Sequence, residues 1–343
     1  MTAPGSSPPP DSGAALTGGV RLPWDRVPDW LRAEVAGQLG GRIVSAVTQP
    51  GGFSPGAAVR LQLAGGRRAF VKAVGAELNP ESPGIYRAEA RFAAALPPEV
   101  PAPGYLGCID AGGWVALLFE DVDGAMPAQP WRPAELNRVL AAMADLSRTL
   151  TPAPVEAPTA AEVHGRSFRG FRMLAGLAAS GAASAAGSNG ARAAGGSGAG
   201  LDRWTREHLT ALADLEAGWE HAVAGSTLAH GDIRSDNILL AGDRVIFVDW
   251  PWACSAAPWF DLVMMLPSVA MQGGPPPGQI LAAHPAAAGA DRCAVTAVLA
   301  AITGYLLYRS RQPPPPGLPT VRAFQAAQGK VALAWLKERT GWS

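Results

Sequence analysis

Three polar residues, Asp232, Asn237 and Asp249, surround a short apolar run in the segment LAHGDIRSDNILLAGDRVIFVDW, which spans residues 228–250. Mg²⁺ is a hard ion that prefers a few carboxylate or amide oxygens together with phosphate oxygens. Asn237 and Asp249 could hold such an ion from the two sides of a strand–turn–strand. Asp232, earlier on the same loop, could then orient a hydroxyl and take its proton. These residue types at this spacing point to phosphoryl transfer.

Two neighbours of Asp232 extend this set of candidate catalytic residues. His230 is expected to pin the loop through hydrogen bonds rather than to act as the base. Arg234 follows Asp232 by two positions and could contact an acceptor or the γ-phosphate. The alternative interpretation is a surface β-turn with ordinary Asx caps, and the apolar strand that ends in Asp249 argues against it.

The spacing HGD-x4-N, followed by an apolar strand that ends in Asp-Trp, resembles the catalytic segment of the aminoglycoside phosphotransferase-like branch of the protein-kinase-like fold. The later PWFDL, which contains Asp261, also matches that branch. The resemblance extends over most of residues 41–340 and is most specific over residues 228–262. It implies a nucleotide co-substrate (ATP or GTP), Mg²⁺ and a small-molecule alcohol as acceptor. It also implies that Asp261 braces the catalytic loop.

The segment before the catalytic loop contains what a kinase needs to bind nucleotide. GGFSPG (residues 51–56) lies between two β-like runs, and Gly52, Phe53 and Ser54 are candidates for covering the phosphates. Lys72 lies inside the apolar strand AFVKAV, where an unpaired ammonium would be costly to bury. Glu89, in the following helix, resembles the kinase glutamate that pairs with such a lysine.

LLFEDVDG (residues 117–124) resembles the hinge between the two lobes of a kinase. Backbone groups there, near Glu120 and Val122, are expected to hydrogen-bond a purine. The side chains do not distinguish ATP from GTP.

Hydrophobic patterning predicts how these motifs are positioned. Residues 41–123 read as five antiparallel strands with one helix at 85–96, and a further helix is expected over Trp24–Leu39. After Gly124 the patterns are mainly helical. The prediction is an α+β, bilobal protein-kinase-like fold, with a five-stranded antiparallel sheet lobe and a mainly helical C-terminal lobe.

Composition and patterning also predict the boundaries of the domains. The expected parts are a disordered tail, a nucleotide-binding lobe, a helical catalytic and acceptor lobe, and a flexible Ala/Gly/Ser insert within that lobe. They correspond to residues 1–22, 23–123, 124–343 and 175–200.

The bulk composition narrows the possible partners. The formal net charge is zero, so no global field favours nucleic acid or an anionic membrane. Three widely spaced cysteines, no secretory signal pattern and no apolar run long enough to span a bilayer predict a cytoplasmic protein. No Walker A or HExxH motif is present. We expect a monomer or weak dimer.

The acceptor is expected to be a small molecule, because no activation segment follows Asp249. Residues 262–343 contain two acids against seven bases, which favours a neutral, aromatic or anionic acceptor. A nucleoside, macrolide or sugar-acid antibiotic would fit, and its phosphorylation would give resistance or self-protection. Trp250, Trp252 and Trp259 could wall the pocket. The acidic helix expected over 202–220 could still supply carboxylates for a cationic acceptor.

Three alternatives stay open at the level of sequence. They are an aminoglycoside kinase, a metabolite kinase for a sugar, choline or homoserine-like alcohol, and a pseudokinase scaffold that binds nucleotide without turnover.

Overall fold

The computed structural model describes residues 21–50, 52–187 and 200–343. Its N-terminal lobe contains two helices and five strands. These are α1 (Asp29–Gln38), β1 (Ile43–Thr48), β2 (Ala57–Leu63), β3 (Arg68–Gly75), α2 (Ser82–Ala95), β4 (Tyr105–Ala111) and β5 (Trp114–Glu120).

The five strands form one antiparallel sheet in the order β1-β2-β3-β5-β4. Side chains alternate between the two faces of a strand, and β3 shows both faces. Val71 is fully buried in a core shared with α1, whereas Val74 packs in a second core with Tyr86 of α2. Lys72 falls on the α2 face by the same alternation, opposite Leu117 of β5. The apolar sheet therefore delivers an ammonium to the side where α2 lies.

The C-terminal lobe is mainly helical. Its helices are α3 (Pro133–Thr149), α4 (Ala160–His164), α5 (Gly170–Gly187), α6 (Arg203–Glu207), α7 (Leu209–Ala217), α8 (Trp219–Ala222), α9 (Phe260–Met271), α10 (Pro277–Ala283), α11 (Arg292–Arg309) and α12 (Val321–Thr340). Its short strands are β6 (Thr227–Ala229), β7 (Ile238–Ala241), β8 (Arg244–Phe247) and β9 (Cys254–Ala256).

Helix α11 is the centre of this lobe, with α5, α7, α8, α9 and α12 packed around it. Its buried hydroxyls are satisfied within the helix, since Thr303 donates to the Leu299 carbonyl at 2.7 Å. Helices α11 and α5 approach so closely that a Cβ on Gly170 would lie 1.8 Å from the carbonyl oxygen of Gly304. Glycine is therefore required at this crossing.

The catalytic segment folds as two small antiparallel pairs, β7 with β8 and β6 with β9. Ile238 pairs with Phe247 at the open end of the β7–β8 hairpin. That register places Asn237 and Val248 next to each other, because each lies one residue beyond this pair. Two residues eleven positions apart in sequence are thus neighbours in the structure.

The structure confirms the predicted α+β architecture, including the five-stranded sheet and the helices α1, α2 and α3. Residues 1–20 of the predicted tail lie outside the described residues, but residues 21–22 are placed against the sheet. Residues 175–187 of the predicted flexible insert are helical and continue α5, and residues 188–199 lie outside the described residues. The expected acidic helix over 202–220 is instead three short helices, α6, α7 and α8.

Among the helices described, none combines the length and apolar character needed to cross a bilayer.

Candidate active site

Lys72 lies at the junction of the two lobes. Its Nζ lies 2.5 Å from Glu89 Oε2 and 2.8 Å from Asp249 Oδ1, and it sits 5.1 Å from the centroid of the Tyr86 ring. Burial alone would lower the pKa of Lys72, but the charges of Asp249 and Glu89 outweigh it and raise the pKa. The lysine is therefore a fixed cation, and Glu89 is its partner, as the sequence indicated.

Asp249 reaches Lys72 from the end of the catalytic hairpin. Its φ of 71° is the only positive value at a non-glycine residue among the described positions, a conformation that Asp tolerates better than most side chains. Neighbouring backbone groups hold it there, because Val248 N–H donates to the Asn237 carbonyl at 3.0 Å. Burial raises the pKa of Asp249, and the opposing charge of Lys72 brings it below the ordinary value.

Asp261, at the start of α9, holds the loop of residues 230–237 through hydrogen bonds to its backbone. Its two carboxylate oxygens accept the backbone N–H groups of His230 and Gly231, each at 2.8 Å. Gly231 has φ 80°, and a Cβ there would lie 2.3 Å from the Trp252 carbonyl oxygen. Only glycine fits this turn. Asp261 takes the bracing position that the family resemblance implied.

His230 is fully buried and connects the loop to the hairpin. Its Nε2 lies 3.0 Å from the Val248 carbonyl, and its Nδ1 accepts the Asp232 N–H at 3.3 Å. Its ring packs on Trp250 with centroids 4.5 Å apart. Burial lowers the pKa of His230 to about 4, so the ring is neutral and occupied at both nitrogens. This geometry matches the expected pinning role.

Asp232, Arg234 and Asn237 form one polar cluster at the mouth of the loop. Arg234 Nη1 lies 2.5 Å from Asp232 Oδ1, and the same guanidinium holds Asp236 through two hydrogen bonds of 3.0 Å. Asn237 Nδ2 donates to the Asp232 carbonyl at 2.8 Å and approaches Asp232 Oδ2 at 3.3 Å. Arg234 therefore orients Asp232 and contacts it directly.

Burial raises the pKa of Asp232 to about 7, with Asp236 and Asp249 adding to the rise and Arg234 opposing it. A carboxyl group whose pKa lies close to neutrality is well matched to accepting a proton.

Asn237 and Asp249 fit a magnesium ion in their chemistry. Because the Asn237 Nδ2 is used toward Asp232, its amide oxygen is the end that can face a cation. The described residues contain no group of three or more His, Cys, Asp or Glu side chains able to hold a metal. A Mg²⁺ ion bound here would thus have few protein ligands and take phosphate oxygens and water for the rest, which is its usual mode beside nucleotides.

The predicted phosphate-covering loop contacts both lobes. Ser54 Oγ lies 2.7 Å from the Tyr86 hydroxyl. The Phe53 ring packs on Phe324 of α12 with centroids 5.2 Å apart. The guanidinium carbon of Arg234 lies 5.6 Å from the centre of the Phe53 ring. Phe53 thus contacts the C-terminal lobe, and Ser54 stays on the side of Lys72.

The predicted hinge is held by ion pairs to a buried carboxylate. Asp121 is held by Arg60 Nε and Arg68 Nε, each at 3.1 Å. Arg60 also donates to the Val122 carbonyl at 2.8 Å, and Glu120 N–H donates to the Gly104 carbonyl at 2.8 Å. The Val122 N–H has no hydrogen-bond partner within the described part of the chain. The same holds for the N–H groups of Asp121 and Asp123, so three adjacent donors at the predicted hinge, Val122 among them, are available for a purine.

Tyr305 of α11 lies near enough to Asp232 for the charge of that residue to act on its phenol. Burial raises the pKa of the Tyr305 hydroxyl, and the charges of Arg309, Asp232, Arg234 and Arg322 all act on it. Gln325 Nε2 approaches that hydroxyl at 3.3 Å. The charged groups that act on Tyr305 are therefore mainly basic.

The other predicted acceptor features fall in different places. Trp250 and Trp259 are buried in the core, and Trp252 is 37% exposed. Within the expected acidic stretch, Glu216 is fully buried and accepts the Phe171 N–H at 2.8 Å, while Asp202 pairs with Lys337 at 2.7 Å. These carboxylates are engaged elsewhere in the lobe.

Sequence reasoning missed several residues of this cleft. Arg21 stands at the end of a Pro/Gly/Ser-rich stretch, and its local sequence contains no signal of function. Tyr305 and Phe324 lie in apolar helical patterns that indicate core. Asp236 lies inside the recognised motif, so its proximity to Arg234 was a usable signal.

The chain has a five-stranded sheet lobe and a helical lobe, with a cluster of lysine, aspartate and asparagine side chains at their junction. These features define a phosphotransferase with a protein-kinase-like fold. Residues 50–296 match the family model described as the phosphotransferase enzyme family (APH). The chain belongs to that family, and the predicted class of enzyme, a small-molecule kinase, is confirmed.

Solved structures agree on the fold. The aminoglycoside phosphotransferase APH(4)-Ia is 14% identical with a TM-score of 0.59, covering 91% of this chain and 99% of its own. An amicoumacin kinase, hAmiN, is 10% identical with a TM-score of 0.53 and coverages of 89% and 94%. A choline/ethanolamine kinase family protein from Mesorhizobium loti is 16% identical with a TM-score of 0.52 and coverages of 90% and 94%. A comparison with curated proteins gave no match.

Proposed function

We propose that this protein moves the γ-phosphate of ATP to a hydroxyl of a small, non-polycationic molecule in a Mg²⁺-dependent reaction. The observation that carries the proposal is the contact between Lys72 Nζ and Asp249 Oδ1 at 2.8 Å. This contact brings a phosphate-binding cation of one lobe to a candidate metal ligand of the other, beside Asp232.

The nucleotide would lie between the lobes. Lys72 would contact the phosphates, the Val122 N–H would donate to the purine, and Asn237 and Asp249 would hold Mg²⁺, which would neutralise phosphate charge. ATP is favoured because APH(4)-Ia has been solved with ADP and with AMP-PNP, and hAmiN with AMP-PNP. GTP, the alternative left open by the sequence, has no such support.

The proposed reaction needs one proton acceptor and one in-line displacement. The acceptor hydroxyl would give its proton to the Asp232 carboxylate as its oxygen bonds to the γ-phosphorus. The bond from that phosphorus to the bridging oxygen would break, and ADP would leave. Arg234, held 2.5 Å from Asp232, would keep the carboxylate oriented and oppose its protonation before the acceptor arrives.

The charges near Tyr305 support the proposed acceptor class. Of the seven bases in residues 262–343, Lys337 is paired and Lys330 is exposed on α12. Arg292, Arg311 and Arg339 donate to carbonyl or hydroxyl oxygens away from Tyr305. The charges of Arg309 and Arg322 act on Tyr305, although the Arg322 guanidinium also donates to the Pro313 carbonyl and to Gln325 Oε1. The charge of Asp232 also acts on Tyr305, so this phenol and the two cations near it would lie on the side from which an acceptor reaches Asp232. Such a surface would repel a polycation and suit a neutral, aromatic or anionic acceptor.

An antibiotic of nucleoside, macrolide or sugar-acid type is the acceptor we propose, with resistance or self-protection as the consequence. APH(4)-Ia has been solved with hygromycin B, and hAmiN is an amicoumacin kinase, so antibiotic acceptors occur on this fold. A cytoplasmic location, a monomeric or weakly dimeric state and the absence of a nucleic-acid partner stay predictions.

The catalytic assignment is tested by replacing Asp232 with Asn. Loss of a general base lowers turnover by about 10²–10⁴-fold, so Asp232→Asn should lose turnover by that factor while ATP binding, measured by calorimetry, is kept. Asp243→Asn, at an exposed position of the β7–β8 turn, is the matched control and should behave as wild type. Unchanged turnover in Asp232→Asn would overturn the mechanism.

The acceptor class is tested by a panel of alcohols with ADP formation as readout. We expect turnover with neutral or anionic antibiotics and little with hygromycin B, choline or free sugars. Arg309→Glu should raise KM for the active acceptor and Lys330→Glu should not. Turnover with hygromycin B or choline instead would support the aminoglycoside or metabolite alternative. ATP binding without turnover across the panel would support the pseudokinase scaffold.

A further inference from the structure

Arg21 lies inside the candidate nucleotide cleft, although it precedes the first helix. Leu22 N–H donates to the Gly56 carbonyl at 3.2 Å, which fixes the segment against the start of β2. Arg21 Nη1 donates to the Ser54 carbonyl at 3.0 Å. The guanidinium is therefore attached to the phosphate-covering loop itself.

Gly52 leaves room for this arginine. A Cβ at residue 52 would lie 2.5 Å from Arg21 Nη2, and Gly52 has φ 71°. A larger residue would be strained by its backbone and would require the end of the Arg21 side chain to shift. Gly52 is thus in close contact with a charged side chain from another segment.

The charges that act on Arg21 show which side of the loop it occupies. Burial lowers the pKa of Arg21, and Tyr86, Asp249 and Asp236 oppose that effect. Tyr86 lies beneath Lys72, and Asp249 is bonded to Lys72. Arg21 therefore faces the space between the loop and the catalytic hairpin, where a nucleotide's phosphates would lie.

The charge balance of the cleft calls for a further cation. Lys72 is committed to Glu89 and Asp249, and Arg234 is committed to Asp232 and Asp236. A triphosphate adds several negative charges to this set. A guanidinium can bind phosphate oxygens through two parallel hydrogen bonds.

We propose that Arg21 is a phosphate-contacting residue that binds the β- or γ-phosphate of the nucleotide from the loop side, opposite Lys72. The inference rests on the proposed nucleotide-dependent function. It makes the segment before α1 part of the binding site.

The test is calorimetric binding of adenosine, AMP, ADP and ATP to wild type, Arg21→Ala and Arg21→Lys. Arg26→Ala, exposed in the same segment, is the control. A lost charge-assisted contact should weaken ATP binding about tenfold or more in Arg21→Ala, with adenosine affinity within about twofold of wild type. Arg21→Lys should fall between them, because it keeps the charge and loses the planar fork.

Three results would overturn the inference. Equal losses for adenosine and ATP would mean that Arg21 only supports the fold of the lobe. Tighter ATP binding in Arg21→Ala would mean that the arginine blocks the phosphate site. ATP binding equal to wild type would mean that Arg21 contacts no phosphate. If wild type itself binds neither ATP nor GTP, the proposed function fails instead, so the two failures are distinguishable.

Discussion

The buried ion triad at the lobe junction makes a quantitative prediction about stability. The side chains of Lys72 and Glu89 are 12% and 3% exposed, whereas that of Asp249 is 40% exposed. Removing one partner of a buried ion pair costs about 3–5 kcal/mol, because the other charge stays buried alone. Lys72→Met should therefore destabilise the protein by about that amount near pH 8. The half-exposed Asp249 should add at most about 1 kcal/mol, since water screens it.

Glu89 is the group that Lys72→Met leaves stranded, so removing its charge should rescue the variant. The double variant Lys72→Met/Glu89→Gln should recover most of the loss, to within about 1–2 kcal/mol of wild type. Asp249 is present in both variants, so its contribution cancels in the comparison.

The pH dependence of the same pair of variants has a defined sign. Burial raises the pKa of Glu89 above its ordinary value of 4.5, and loss of Lys72 removes the charge that opposed this rise. An acid with a raised folded-state pKa contributes stability below the unfolded pKa and loses it as pH rises through the folded pKa. Lys72→Met should thus lose stability from about pH 5 upward relative to the double variant, by about 1.4 kcal/mol per pH unit until Glu89 ionises.

Urea unfolding followed by circular dichroism, at about pH 5 and about pH 8, measures these differences. Equal stabilities of the single and double variants at about pH 8 would refute the reasoning, because Lys72 would then not be neutralising a buried carboxylate. A difference that does not change with pH would refute the titration of Glu89.

Three further predictions concern the C-terminal lobe. His164 is buried, and burial lowers its pKa to about 4 from 6.5. As pH falls, this histidine is therefore protonated in the unfolded chain before it is protonated in the folded protein. The free energy of unfolding of wild type, measured by urea unfolding, should fall by about 3 kcal/mol relative to His164→Leu between pH 6.5 and pH 4. Parallel pH curves for the two proteins would contradict this. Asp261→Asn turns an amide donor toward a buried N–H, which should lower the free energy of unfolding by about 2–3 kcal/mol and speed hydrogen exchange at Gly231. Unchanged exchange at Gly231 would contradict the role of Asp261 in holding the loop. Gly304→Ala places a Cβ 2.4 Å from a buried carboxylate oxygen and should lower thermal stability by about 1–3 kcal/mol or more, whereas Gly176→Ala, which meets open space, should not.

Much of the candidate site could be predicted from local sequence. HGD-x4-N followed by a strand that ends in Asp249 constrains its own geometry, because a tight hairpin places Asn237 beside Val248 whatever surrounds it. Lys72 was visible as a charge in an apolar strand, since such a charge needs a partner. Glu89 could be predicted from helical periodicity and from resemblance together.

Contacts between distant segments could not be predicted in this way. Arg21 belongs to a stretch whose composition indicates disorder, and its role depends on where the glycine-rich loop lies. The charge count over residues 262–343 indicated a basic acceptor side, but it could not show which arginines lie near Tyr305. The acids of the expected 202–220 helix were candidates by charge alone, and packing placed Glu216 inside the lobe instead.

The sequence by itself determined the class of chemistry, the two-lobed α+β architecture and the core of the catalytic hairpin, because these depend on residue type, periodicity and short-range register. The tertiary structure alone decided that Lys72 meets Asp249, that Arg21 bonds to the Ser54 carbonyl and that Arg309 and Arg322 lie near Tyr305. Such contacts join segments up to 177 residues apart. Their formation depends on how whole helices and sheets pack, which no local pattern records.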